Sequence, residues 1–233
     1  IRRMTKDLNH QQPSTLRGVG DDAAVLDPMG KRVVVTTDML CEGVHFDLSY
    51  APLKHLGYKA VVVNLSDICA MNATPTQVVV GLGLSNRFSV EAVDELMAGI
   101  RLACEVYKVD LVGGDTTSSP SGLTLAVTAM GLAEADALVG RDGAGDGDLL
   151  VVSGDLGAAY MGLQILEREK TVFQAAPTAQ PELDDFAYLL ERQLKPEARV
   201  DVVREMADLG LKPTSMVDIS DGLSREIMHV GTS

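Results

Sequence analysis

The chain has 233 residues, 46% of them hydrophobic and 23% charged, and its formal net charge is −13. This length suits one large or two modest domains. The acidic balance disfavours nucleic acid and anionic membranes as partners, and no run of about 18 apolar residues is present to span a membrane. An anionic substrate is compatible only where a local positive charge, such as a bound divalent cation, receives it.

The cysteine pattern indicates reduced, mostly buried thiols. Cys41, Cys69 and Cys104 are odd in number and far apart, with no CxxC or Cys/His pairing, so neither a disulfide framework nor a zinc site is expected. A catalytic thiol is the minor alternative. The opening residues lack the apolar core of a secretory signal peptide, which together with the thiols predicts a cytoplasmic protein. The chain lacks a starting methionine and ends abruptly, so we expect either a fragment or the ordered part of a longer protein.

The first 137 residues alternate between short β-branched runs and longer helical patterns. Strands are predicted over 32–40, 76–85, 109–114 and 122–134, and helices over 52–71 and from an N-cap at Ser89 onwards. The second helix carries one apolar stripe, made of Val93, Leu96, Met97, Ile100, Cys104 and Tyr107. This order predicts an α/β domain.

A glycine-rich, charged segment at 140–148 marks the domain boundary, so we divide the chain into 1–137 and 138–233. The remainder predicts strands at 149–154 and 215–220, a loop at 171–185, and helices between and after them. We expect this second α/β domain to be incomplete.

Aspartates recur at element ends beside glycine, serine or threonine, where open α/β sheets build their sites. Carboxylates without His or Cys are hard oxygen ligands that favour magnesium or manganese, and nearby hydroxyls could complete the shells. One such aspartate is more often a turn or a helix cap, but the repetition predicts a site. The aspartates are Asp21 and Asp22 in GVGDDAAV, Asp38 in VTTDML, Asp67 in NLSDIC, Asp115 in GGDTTSSP, and Asp218 and Asp221 in DISDGL. The hydroxyls are those of Thr36, Thr37, Ser66 and Ser220, whereas Asp146 and Asp148 in GDGD are interpreted as a turn.

Familiar nucleotide motifs are absent from the sequence. It contains no Walker A pattern, no protein-kinase loop set, no GxGxxG and no GxSxG. Phosphate binding would therefore depend on metals, backbone amides and Arg141, although a solvated loop arginine explains Arg141 equally well. His45 lies just beyond the strand of Asp38, where an isolated histidine is usually a packing or surface residue.

Six motifs in this order resemble the thiamine-monophosphate kinase family, within the superfamily of aminoimidazole ribonucleotide synthetase. They are GVGDDAAV, TTDMLCEGVHF, KAVVVNLSDICAMNATP, LVGGDTTSSP, GRDGAGDGDLLVVSGDLG and DISDGL, and the resemblance extends from about residue 14 to 228. It implies a two-domain α/β protomer whose N-terminal mixed sheet pairs in a homodimer, with active sites near the interface.

The resemblance also implies transfer of the ATP γ-phosphoryl group to thiamine monophosphate, which gives thiamine diphosphate and ADP. We expect direct in-line transfer that depends on several magnesium ions and uses no catalytic base. Two alternatives stay open: a superfamily enzyme with a different acceptor, and an inactive nucleotide-binding dimer.

Site residues follow from the matched motifs. Among the metal ligands Asp38 and Asp67 are expected to be most critical, and Asp21 is expected to serve as a cap or from outside the ligand shell. The implied magnesium ligands are Asp22, Thr36, Thr37, Asp38, Asp67, Asp115, Asp218 and Asp221. The implied ATP contacts are Gly114, Asp115, Arg141 and Ser220, and the implied substrate contact is His45. The family's later acidic and aromatic substrate residues have no counterpart in these 233 residues, and Ser118 stands where some members have arginine.

Overall fold

A four-stranded mixed sheet forms the centre of the structure, a computed structural model that describes residues 8–19, 23–178, 181 and 183–232. Two short strands, β1 (Thr15–Arg17) and β2 (Val25–Leu26), pair separately. The main sheet has the order β3-β6-β4-β5, in which only β4 and β5 run parallel. Its strands are β3 (Arg32–Cys41), β4 (Thr74–Leu84), β5 (Asp110–Ser118) and β6 (Leu123–Ala133). The predicted α/β class and all four predicted strands of the first domain are confirmed.

Two long helices cover one face of this sheet and complete the core. They are α1 (Leu53–Ala70) and α2 (Val90–Tyr107), close to the predicted ranges. The Ser89 hydroxyl accepts a hydrogen bond from the backbone N–H of Ala92 at 3.2 Å, which confirms the N-cap. The predicted stripe of α2 packs inward, with Leu96, Met97, Ile100 and Cys104 buried and Val93 and Tyr107 partly buried against the core.

The helices approach each other closely enough to require glycine at two positions. A Cβ at Gly57 would overlap the backbone carbonyl oxygen of Leu96, and a Cβ at Gly99 would overlap that of Lys54. Each helix therefore places a glycine against the backbone of the other. This contact sets the distance between α1 and α2.

In the described part of the chain, the other face of the sheet is open. Side chains alternate along a strand, and β6 accordingly alternates between buried and half-buried residues. On edge strand β3, Val33, Val35 and Met39 lie on the open face and are 50%, 60% and 57% exposed. Thr36 and Asp38 pair with the buried Ala129 and Val127, which puts them on the helix-covered face.

The remaining chain is helical and packs partly against α1. Its elements are α3 (Ala158–Ala175), a 3-10 turn (Asp184–Phe186), α4 (Ala187–Leu194), α5 (Val200–Asp208) and α6 (Leu223–Thr232). Helix α3 packs on α4, and both α4 and α5 contact α1. Helix α3 continues to Ala175, so the first residues of the predicted loop 171–185 are helical. The proposed boundary between residues 137 and 138 stays a prediction.

The two strands predicted in the second half are wrong. Segments 149–154 and 215–220 have no regular structure, and Leu149 and Val151 are 91% and 84% exposed. A β-strand needs a ladder of backbone hydrogen bonds with a neighbouring strand, and within the described residues neither segment pairs with a strand. The apolar, β-branched composition of these segments favours a strand, but no strand forms because neither segment has a partner strand among the described residues.

Among the helices that the structure describes, none is long and apolar enough to cross a membrane.

The glycine contact between α1 and α2 predicts a strong local sensitivity. Substitution Gly99→Ala should lower the free energy of unfolding by about 2–4 kcal/mol, because the added methyl group must displace backbone rather than a flexible side chain. Denaturant unfolding monitored by circular dichroism measures this loss.

Gly231 provides the control, since it lies in α6 and a Cβ there would meet nothing within 4 Å. Gly231→Ala should be neutral or stabilising by up to about 1 kcal/mol. Equal effects of the two substitutions would contradict the packing argument.

Candidate functional site

Three aspartates from separate parts of the chain meet beside the helix-covered face of β3. They are Asp38 in β3, Asp67 in α1, and Asp218 in the segment before α6, and we call them the acidic cluster. The Thr36 hydroxyl donates to Asp67 Oδ2 at 2.8 Å. The Ser66 hydroxyl donates to Asp218 Oδ2 at 2.9 Å. One strand, one helix and one loop are thus joined through hydroxyl–carboxylate hydrogen bonds.

Asn64 fixes the position of Asp38 relative to α1. Strand β3 is at the edge of the sheet, so one side of its backbone has no partner strand. The backbone N–H of Asp38 donates to Asn64 Oδ1 at 2.9 Å, and Asn64 Nδ2 donates to the Ala60 carbonyl at 3.0 Å. Asn64 is fully buried. Because Asn64 and Asp67 are three residues apart, they share one face of the helix.

Hydrogen bonds to the glycine-rich loop hold the segment that carries Asp218. Met216 N–H donates to the Gly140 carbonyl at 3.0 Å, and the Ser215 hydroxyl donates to the Arg141 carbonyl at 2.8 Å. Asp148 accepts from Gly145 N–H at 2.8 Å and from the Thr214 hydroxyl at 2.7 Å, which confirms its interpretation as a turn residue. The same contacts bring Arg141 near the acidic cluster, where its charge lowers the pKa of Asp67.

Partial desolvation and mutual repulsion make the ionised cluster unfavourable, with Asp67 and Asp218 half-buried and Asp38 more exposed. Desolvation raises the pKa of Asp38, Asp67 and Asp218, and this is the largest cause in all three. The charge of Asp218 raises the pKa of Asp38 further, Asp38 does the same to Asp67, and Asp67 does the same to Asp218. The hydroxyl hydrogen bonds of Thr36 and Ser66 act in the opposite direction, on Asp67 and Asp218. A positive charge bound beside the three carboxylates would therefore stabilise their ionised forms.

The donor set suits a hard divalent cation. Every side chain of the cluster offers carboxylate oxygen, hydroxyl oxygens adjoin it, and magnesium prefers oxygen ligands of this kind. Among the described residues, none of the three carboxylates is in an ion pair. No three acidic, histidine or cysteine side chains in the described ranges are close enough to hold an ion as they stand. Asp22, a further implied ligand, lies with Asp21 outside the described residues.

His45 lies at the margin of the cluster. Its Nδ1 accepts a hydrogen bond from the backbone N–H of Cys41 at 3.0 Å, so in the neutral ring the proton is on Nε2. When the ring is protonated, its charge lowers the pKa of Asp38, which places the ring close to that carboxylate. The hydrogen bond from the end of β3 thus leaves the neutral ring of His45 with one donor, Nε2–H, for a bound group.

Thr37 and Asp115 do not join the acidic cluster. Thr37 lies on the open face and donates to the Val127 carbonyl at 3.1 Å. Asp115 is exposed, pairs with Gly81 in the open-face register, and accepts from the Thr116 N–H at 2.8 Å. Strand β5 is three strands from β3, about 14 Å away at the usual spacing. At Gly114, a Cβ would overlap the carbonyl oxygen of Val80, so packing alone explains this glycine.

Asp221 and Ser220 lie on the exposed turn before α6. Asp221 forms an ion pair with Arg225 at 3.1 Å, and its backbone N–H donates to Glu226 Oε1 at 3.3 Å. The motif reading missed Glu226, which is buried and raises the pKa of Asp218. It also missed Asn64, a polar residue inside an apolar helical run, whose position three residues before Asp67 was an available signal.

The repulsion within the cluster predicts a pH-dependent gain in stability for Asp67→Asn. A raised folded-state pKa means that the wild-type protein loses stability as the pH rises from about 4, the ordinary carboxyl value, through the raised value. Asparagine keeps the acceptor for Thr36 and removes the charge. In a chelator at pH 7.5, we expect a melting midpoint about 2–4 °C above wild type, which corresponds to at most about 1 kcal/mol for partly screened charges.

The gain should disappear near pH 3, where both proteins are uncharged at this position. Asp146→Asn, an exposed loop position, is the matched control and should leave the midpoint unchanged. A lower midpoint for Asp67→Asn at pH 7.5 would contradict the repulsion.

Comparison with known proteins identifies relatives over nearly the whole chain. The family model "AIR synthase related protein, N-terminal domain" matches residues 20–133. The thiamine-monophosphate kinase of Aquifex aeolicus is 35% identical over 212 residues, 91% of this chain and 64% of its own length. The chain thus spans about 64% of that relative.

Solved structures show the same kinship. The thiamine-monophosphate kinase of Stenotrophomonas maltophilia is 33% identical with a TM-score of 0.81, and the match covers 99% of this chain and 69% of that one. A structure of AaThiL complexed with AMPPCP and TMP is 36% identical with a TM-score of 0.76 and covers 92% of this chain and 64% of that one. The mixed sheet, its covering helices and these identities together show that the chain belongs to the thiamine-monophosphate kinase family.

Proposed function

We propose that the protein transfers the γ-phosphoryl group of ATP to thiamine monophosphate and releases thiamine diphosphate and ADP. The observation that carries this proposal is the convergence of Asp38, Asp67 and Asp218 on one place, with Arg141 beside them. Family membership selects the reaction among those that an acidic cluster could support. The AaThiL complex with AMPPCP and TMP supports the choice of both substrates.

The acidic cluster is proposed to hold magnesium, together with Asp22, Asp221 and the Thr36 hydroxyl. Bound magnesium would supply the positive charge that neutralises the phosphates and polarises the transferred group. The donor chemistry fits, because the cluster consists of oxygen ligands whose repulsion a cation would relieve. Asp38 and Asp67 are proposed to be the most critical of these ligands.

The chain's own residues position these groups and the substrates. Thr36 and Ser66 each occupy one carboxylate oxygen, which orients Asp67 and Asp218. Arg141 and Ser220 are proposed to contact ATP, and His45 the acceptor through Nε2. No general base is required, because a phosphate monoester acceptor is largely ionised at neutral pH. The difficulty is repulsion between anions, about 4 kcal/mol for two unit charges 4 Å apart at an effective dielectric constant near 20.

A homodimer through the open sheet face is proposed as the functional assembly. The exposed Val33, Val35 and Met39 give this face an apolar character that a second copy would cover. Thr37 and Asp115 lie on the same face, so pairing would bring them to the interface. Their proposed roles as magnesium ligands, and those of Gly114 and Asp115 toward ATP, depend on that assembly.

The central test is a direct assay. The full-length protein, incubated with magnesium, ATP and thiamine monophosphate, should form thiamine diphosphate and ADP in equal amounts. Asp38→Asn should lower the turnover number by at least about 100-fold, because it removes a charge from the proposed metal shell and keeps the side chain's size. Asp146→Asn should match wild type.

An absence of thiamine diphosphate from the folded wild-type protein would refute the proposed reaction. Consumption of ATP with another acceptor would then favour a different superfamily activity, and ATP binding without any turnover would favour an inactive nucleotide-binding dimer.

The assembly has its own test. Val35→Asp places a charge in the middle of the open face and should convert a dimer into a monomer in sedimentation velocity, with unchanged circular dichroism. The exposed Val106→Asp lies on α2 and serves as the control. A monomeric wild-type protein, or a dimer that tolerates Val35→Asp, would argue against this interface.

A further inference from the structure

A small pocket lies next to the acidic cluster, between residues 45–51, helix α1 and the end of α4. Most of its lining is apolar and includes Phe46, Leu56 and Leu194. The lining also includes polar residues that can donate hydrogen bonds, among them Lys59 from α1 and the ring of His45. The pocket is therefore an apolar cavity with one cation and one histidine.

Lys59 is a charged side chain in a mostly apolar pocket. Its Nζ donates to the carbonyl oxygen of Gln193 at 2.9 Å, in the last turn of α4. An ammonium has three N–H groups, and in the described part of the chain no carboxylate lies within ion-pair distance of it. Burial accordingly lowers the pKa of Lys59. Lys59 is half-buried, and a partly desolvated cation with a single neutral acceptor is unfavourable, so an anion beside it would offset part of that cost.

The nearby acidic groups are engaged with other partners. The Tyr50 hydroxyl donates to Glu167 Oε1 at 2.6 Å, and Lys170 pairs with Asp47 at 2.8 Å and with Glu167 at 3.4 Å. The hydrogen bond from Lys170 lowers the pKa of Asp47 to about 2, so Asp47 stays ionised and paired at neutral pH. These contacts fasten residues 45–51 to α3 and leave Lys59 as the one uncompensated charge among the described residues that line the pocket.

The pocket lies beside the acidic cluster. His45 belongs to its lining and lies close enough to Asp38 for its charge to lower the pKa of that aspartate. An anion held between Lys59 and His45 would therefore sit beside the acidic cluster. An acceptor phosphate has to approach that cluster against its negative charge, and a cation on the acceptor's own side would offset part of the repulsion.

We propose that this pocket, whose volume of about 20 Å³ has room for one water-sized group, is a subsite that receives a phosphate oxygen of the acceptor, which Lys59 binds with His45 Nε2 as a second donor. The identification of the anion as thiamine monophosphate rests on the proposed function. The phosphate chemistry does not, since free inorganic phosphate would satisfy the same two donors. Lys59 is a binding residue in this proposal, and Gln193 orients it through the backbone carbonyl.

The test measures binding in the absence of ATP, so that it does not depend on turnover. Calorimetric titrations of the full-length protein with thiamine monophosphate, thiamine and inorganic phosphate compare wild type with Lys59→Met, which keeps the apolar stem. We expect Lys59→Met to weaken thiamine monophosphate binding about 10- to 100-fold, the loss expected for a charge-assisted hydrogen bond. Thiamine binding should not change, and Lys59→Arg should recover part of the affinity.

Lys195→Met is the matched control. Lys195 follows α4, lies over the Tyr58 ring at 5.7 Å and pairs with Glu191 at 3.6 Å, outside the pocket lining. It should bind thiamine monophosphate as wild type does. Unchanged affinity in Lys59→Met, or an equal loss for thiamine and thiamine monophosphate, would show that Lys59 only fastens α4.

A second measurement uses only the wild-type protein, so it tests the subsite even if the Lys59→Met variant fails to fold. Slow acetylation of the wild-type protein, read by mass spectrometry, should modify Lys59, and thiamine monophosphate should protect it while thiamine does not. Protection by inorganic phosphate but not by thiamine monophosphate would overturn the assignment to the acceptor. If neither compound protected Lys59, the subsite itself would be overturned.

The outcomes also separate this inference from the proposed function. Lys59-dependent binding of thiamine monophosphate without formation of thiamine diphosphate would keep the subsite and refute the reaction. If Lys59→Met formed thiamine diphosphate with an unchanged KM for thiamine monophosphate, the reaction would be supported and the subsite refuted.

Discussion

The close approach of α1 and α2 at Gly57 and Gly99 is the constraint on which the rest of the site depends. Helix α1 carries residues of three kinds. Asn64 holds β3, Asp67 belongs to the acidic cluster and Ser66 binds Asp218 of that cluster, and Lys59 faces the neighbouring pocket. A helix that stood farther from α2 would shift all of these together relative to Asp38. Two residues without side chains thereby determine where the charged side chains lie.

The electrostatics of the site follow from this packing. Packing beside α1 partly desolvates Asp67 and, to a smaller extent, the more exposed Asp38, and the hydrogen-bonded loop brings Asp218 and its charge to them. The chain compensates these charges only in part, through two hydroxyls and the nearby Arg141. Lys59 is the opposite case, a half-buried cation with no carboxylate partner among the described residues. The acidic cluster lacks positive charge and Lys59 lacks a negative partner. Their proximity suits a site that binds a cation at the cluster and an anionic substrate at Lys59.

Much of the fold could be predicted because its signals are local. The Ser89 cap and the apolar stripe of α2 depend only on residues a few positions apart, and the structure confirms both. Segments 149–154 and 215–220 show the limit of such signals. Their composition favours strands, yet a strand forms only where another backbone supplies hydrogen bonds, and local sequence does not report whether one is present.

The sequence by itself determined the class of chemistry, because repeated aspartates beside small polar residues are oxygen ligands whatever their arrangement. It also determined the family through the order of its motifs. Only the tertiary structure decided which of these residues act together. Alternation along β3 directs Asp38 toward α1 and Thr37 to the open face, and strand order puts Asp115 at the far edge of the sheet. Long-range packing alone brought Asp218 to Ser66 and left Lys59 without a carboxylate, since both depend on segments more than 130 residues apart in the chain.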